Sequence, residues 1–103
     1  MTRSARWLAL AALTTLPLAA AAQAPDPLQV RSWAASCAAC HGTNGAALPG
    51  MASLAGVPKE DTVKKMQDYK TGRLPATLMH QLAKGYSDEQ IEAIAAYFAA
   101  QKK

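Results

Sequence analysis

The chain has 103 residues, half of them hydrophobic, with 11 basic and seven acidic side chains and a formal net charge of +4. That length allows one small domain, and two cysteines are too few for a disulfide-rich scaffold. The basic excess shrinks once the first stretch is set aside, so it does not argue for nucleic acid.

Residues 1–22 read as a targeting segment. Arg3 and Arg6 form a charged start, Trp7 to Leu18 an apolar run, and Ala20-Ala21-Ala22 the small residues of a cleavage site. The run is shorter than the ~20 apolar residues of a membrane span, so the expectation is a cleaved signal peptide rather than an anchor. The mature domain is then 23–103, exported to the periplasm. Without the two arginines, nine basic side chains face seven acidic ones, leaving +2.

Asp26 is a good N-cap and Pro27 suits the first helical position. Val30, Trp33, Ala34, Cys37 and Ala38 follow at i, i+3, i+4, i+7 and i+8, one stripe of a helix. The stripe runs into Cys37-Ala38-Ala39-Cys40-His41. Two cysteines three apart, followed at once by histidine, form the attachment signature for c-type haem. The two thiols add across the vinyl groups, and His41 falls beneath the iron and ligates it through a ring nitrogen. Trp33 shares the face of Cys37, so its indole is expected near the haem edge.

Three other uses of the cysteines fit less well. A thioredoxin-like dithiol should open a helix after a strand, and no convincing strand is legible. Zinc needs about four ligands. The chain offers Cys37, Cys40, His41 and His80, and Cys40 and His41 are adjacent. A disulfide is permitted in an oxidising compartment but leaves His41 unexplained. Size points to a cofactor as well. A domain of ~80 residues has a core worth only a few kcal/mol net, and here the apolar residues are mostly alanine. A porphyrin would supply the missing bulk.

From Gly42 to Pro58 the chain is loop-like, with glycines that allow close backbone approach to a flat cofactor. A carbonyl near Pro49 to Leu54 is expected to accept the second ring N–H of His41. Residues 59–71 read as a helix stopped by Gly72, with Val63, Met66 and Tyr69 on one side. Its lysines are a solvated face, or a docking surface for an acidic partner. Leu78 and Leu82 suggest a short helical piece ending at Gly85. Ser87 and Gln90 make a capping box, and Ile91, Ile94, Ala95, Phe98 and Ala99 form the stripe of a last helix. Lys102 and Lys103 suit its C-terminus.

A capped first helix ending in C-x-x-C-H, a glycine-rich loop, a methionine and an amphipathic last helix resemble a class I (monohaem) cytochrome c. The resemblance covers essentially all of 23–103. It implies an all-α fold in which the N- and C-terminal helices pack across each other around one covalently bound haem c. It also implies His and Met axial ligands. SCAACHGTNG (36–45) and ATLMHQLAKGYSDEQI (76–91) are similar to the cytochrome subunit of flavocytochrome c sulfide dehydrogenases. By position this carries the axial methionine onto Met79. Chain length agrees. Met51 is only ten residues past His41, Met66 sits mid-helix, and Met79 is 38 residues on. His80 leaves a bis-histidine alternative.

The expected function is outer-sphere electron transfer with no catalytic residues. The expected role is haem subunit or acceptor of a sulfide-oxidising flavoenzyme. The alternatives are a freely diffusing carrier to a terminal oxidase or other respiratory complex, and a haem enzyme or sensor with an open iron site.

Overall fold

Asp26 and Pro27 start the first helix as their chemistry suggests. The Asp26 carboxylate accepts from the Leu28 amide at 3.3 Å, and Pro27 sits where a missing N–H costs nothing. The computed structural model describes residues 24–103. The expected signal peptide lies outside them. The elements are α1 (Pro27–His41), a 3₁₀ turn at Thr43–Gly45, α2 (Lys59–Lys70), α3 (Met79–Lys84) and α4 (Asp88–Ala99). No strand occurs among the described residues, and the all-α expectation holds.

The capping box of α4 is formed as read. Ser87 Oγ accepts from the Gln90 amide at 3.1 Å, and Gln90 Oε1 accepts from the Ser87 amide at 2.9 Å. This fixes the start of a helix whose stripe buries Ile91, Ile94, Ala95 and Phe98 and leaves Ala99 partly exposed. α4 lies across α1, as expected of the terminal helices. Ala34, Ile94 and Phe98 form the crossing, and Trp33, Cys37, Leu54, Tyr86 and Tyr97 pack against it. The small side chain of Ala34 is what permits close approach. α4 ends at Ala99, so Lys102 and Lys103 lie past the helix instead of in its last turn.

α2 packs on both α3 and α4. Three of its lysines pair with the fold's own acids. Lys59 pairs with Glu92 at 2.6 Å, Lys64 with Asp68 at 2.6 Å and Lys70 with Asp88 at 3.1 Å. Lys70 Nζ also donates to the Tyr86 carbonyl at 2.7 Å. The Lys59 and Lys70 pairs tie α2 to α4, and the Lys64 pair stays within α2. Four of the seven buried apolar residues are alanines, and the largest fully buried side chains are Phe98 and Ile91. Each of those two stabilises by roughly 1.5–3 kcal/mol. So thin a core agrees with a domain completed by a cofactor.

Candidate haem centre

The last turn of α1 presents the donor set. Cys37 is partly buried against the α1–α4 crossing, whereas Cys40 is exposed. Burial pushes the Cys37 thiol above its ordinary value, with the Ser36 side chain acting the other way.

His41 closes the helix, and its Nδ1 lies 2.6 Å from the carbonyl oxygen of Ala52. A carbonyl can only accept, so Nδ1 is the protonated nitrogen and Nε2 carries the free lone pair. That is the tautomer an iron ligand needs. The acceptor falls inside the stretch expected to supply it.

The loop that carries Ala52 is anchored at both ends. The Gly45 carbonyl accepts from the amides of Leu54 (2.8 Å) and Ala55 (3.1 Å). Ser53 Oγ accepts from the Ala47 amide at 3.0 Å. Gly45 has φ +82°, and a Cβ there would lie 2.8 Å from both the Ala55 nitrogen and Phe98 Cδ1. Asn44, also left-handed at φ 53°, accepts at Oδ1 from the Tyr97 hydroxyl at 2.9 Å. Sequence reading missed Asn44 and Tyr97. The one available signal was the Asn-Gly pair, since Asn tolerates left-handed backbone better than most residues.

Met79 comes from a different part of the chain. It is the first residue of α3 and is partly buried. Leu78 and Leu82 beside it are 52% and 45% exposed, an apolar surface suited to a flat macrocycle. Its neighbour His80 has a buried Nδ1 with no hydrogen-bond partner. Met51 is exposed and adjoins Ala52, on the loop that holds His41. Met66 is partly buried within α2. No cluster of three or more His, Cys, Asp or Glu suited to a bare metal ion occurs among the described residues. Two surface cavities, of about 500 and 170 Å³, are lined by none of Cys37, Cys40, His41 or Met79.

Fold and donor set together define a small haem-binding electron-transfer protein of the cytochrome c class. The family model described as cytochrome c oxidase, cbb3-type, subunit III, matches residues 29–98, and the chain belongs to that cytochrome c family. It is 38% identical over 97 residues to cytochrome c4 of Pseudomonas aeruginosa, covering 92% of this chain and 48% of that one. It is 41% identical over 63 residues to the cytochrome subunit of sulfide dehydrogenase of Chlorobaculum tepidum, covering 61% and 57%. It is 32% identical over 102 residues to the thiosulfate dehydrogenase electron acceptor of Stutzerimonas stutzeri, covering 91% and 47%. The chain thus spans about half the length of these relatives. Membership of the family implies a covalently bound haem c, and Cys37 and Cys40 supply the C-x-x-C-H pattern for it. No helix among the described residues is long and apolar enough to cross a membrane.

Proposed function

We propose that Cys37 and Cys40 form the two thioethers and that His41 and Met79 are the axial ligands of a periplasmic carrier spanning 23–103. Its partner is a sulfide-oxidising flavoenzyme. The observation that carries the site is the His41 Nδ1 to Ala52 contact, which leaves Nε2 free to bind metal. Bound haem supplies a ferric–ferrous couple that exchanges single electrons. Cys37 and Cys40 would hold the haem, each S–H adding across a vinyl double bond with sulfur to one carbon and hydrogen to the other. The Ala52 carbonyl keeps the His41 ring in one orientation, so little rearrangement accompanies a change of oxidation state. A thioether ligand from Met79 in apolar surroundings favours the ferrous form.

The flavoenzyme partner is supported by the similarity to the sulfide dehydrogenase cytochrome subunit. A freely diffusing carrier is the second reading, favoured by the relative named as an electron acceptor. Tagged mature protein, expressed in its own host, separates them by what it retains from the periplasm. A co-purifying chain with a flavin spectrum beside the haem spectrum is expected. Recovery of the haem protein alone, with rapid reduction by added donors, overturns the bound-subunit reading.

A further inference from the structure

We propose that Tyr97, on α4, is a positioning residue for His41 and acts through Asn44 and the carbonyl of Ala52. The links are all short. The Tyr97 hydroxyl donates to Asn44 Oδ1 at 2.9 Å. Asn44 is the only described non-glycine residue with positive φ, a conformation that a side-chain hydrogen bond helps to hold. The next residue, Gly45, uses its amide and its carbonyl in opposite directions. Its N–H donates to the Gly42 carbonyl at 2.9 Å, one residue past His41. Its C=O accepts from Leu54 and Ala55, at the far end of the loop that carries Ala52. One turn therefore fixes both the exit of the helix bearing His41 and the loop bearing its acceptor. The Tyr97 hydroxyl pins that turn to the opposite helix.

The ring of Tyr97 has a separate packing role, edge-on to Phe98 with centroids 5.2 Å apart and planes at 82°. Tyr97→Phe keeps that packing and removes only the hydroxyl. A firm Nδ1–H···O=C bond makes Nε2 a stronger donor. Loosening it weakens electron donation to the metal, which favours the ferrous form. Tyr97→Phe is expected to raise the midpoint potential.

This inference rests on His41 as an iron ligand, so the test examines both on haem-loaded protein. The variants are Tyr97→Phe, Asn44→Gly, which keeps the left-handed backbone but removes the acceptor, and their double. Tyr86→Phe is the control. Its hydroxyl pairs with Ser36 on α1, away from the Ala52 loop. Redox titration, the hyperfine-shifted imidazole protons of His41 and thermal midpoints are measured on each. Both single variants are expected to raise the potential and move the His41 resonances, with the double no larger than the larger single. Tyr86→Phe is expected to lower the thermal midpoint alone. If Tyr97→Phe changes only thermal stability, or if Tyr86→Phe moves the potential equally, the positioning role is overturned. A wild-type protein with no hyperfine-shifted His41 imidazole fails the ligand reading instead. A normal wild-type signal that Tyr97→Phe leaves in place fails this inference alone.

Discussion

Replacing Gly45 by alanine tests whether the turn after the haem motif is as tightly built as its contacts suggest. Two costs add. The first is conformational: φ is +82°, and a left-handed alanine costs roughly 1–2 kcal/mol. The second is steric. The new Cβ would lie 2.8 Å from the Ala55 nitrogen, 2.8 Å from Phe98 Cδ1 and 3.0 Å from Leu54 Cβ. Ala55 cannot retreat easily, because its amide donates to the carbonyl of residue 45 itself. Overpacking of this kind costs about 1–3 kcal/mol. The sum is about 2–5 kcal/mol, a large part of the stability of a domain this size. At ~4–8 °C per kcal/mol the thermal midpoint should fall by about 8–40 °C. Gly50→Ala carries the conformational cost alone, so the difference between the two variants isolates the steric part. The φ of Gly50 is 94°, yet nothing lies within 4 Å of a Cβ there. The assay is thermal unfolding of both haem-loaded variants by far-ultraviolet circular dichroism. Equal losses at positions 45 and 50 would refute the packing argument, because the contacts to Ala55 and Phe98 would then contribute nothing.

Met79→Ala is expected to abolish the ferric methionine–iron charge-transfer band, lower the potential and admit carbon monoxide to the reduced protein, with Met51→Ala doing none of these. The opposite pattern in the visible spectra would move the distal ligand to the loop after His41. Asp88 makes a pH prediction. Hydrogen bonds from Gln67 and then Lys70 hold its carboxyl below the usual range. Its folded value lies below its unfolded one. Its contribution is therefore complete above the ordinary value of about 3.9 and is lost as pH falls through the folded value. Thermal midpoints measured from neutral to acid pH should decline less steeply for Asp88→Asn than for the wild type.

Both terminal helices were legible because their signals are local. Asp26-Pro27 and Ser87 with Gln90 are caps written within four residues, and the stripes of α1 and α4 point at each other once folded. The haem motif is local too, since one turn of helix holds both thiols and the histidine. What orients His41 was only half legible. A loop carbonyl could be expected, but a backbone oxygen carries no side-chain identity, and Ala52 became definite only with the loop's geometry. The Tyr97–Asn44 bond spans 53 residues, and no periodicity records it. Thr62 is buried in α2, where the apolar residues Val63, Met66 and Tyr69 were the expected inner face. Its short polar side chain gave no such indication. Met79 rested on family resemblance more than on any local pattern, because its helix is too short to show one.

That shortness has a consequence for how the chain opens. α3 has six residues, its N-cap Leu78 offers no side-chain hydrogen bond, and only Ala83 within it is buried. Native proteins open locally first where buried contacts are few and end groups are unsatisfied. α1 and α4, by contrast, are capped and locked at their crossing. The segment that bears Met79 is held chiefly by its packing on α2 and not by its own ends, so it is expected to open before the helix that bears His41. With His41 and Met79 as the proposed ligands, the two faces of the haem would then answer to different parts of the fold, one to the α1–α4 crossing and the other to a helix of six residues.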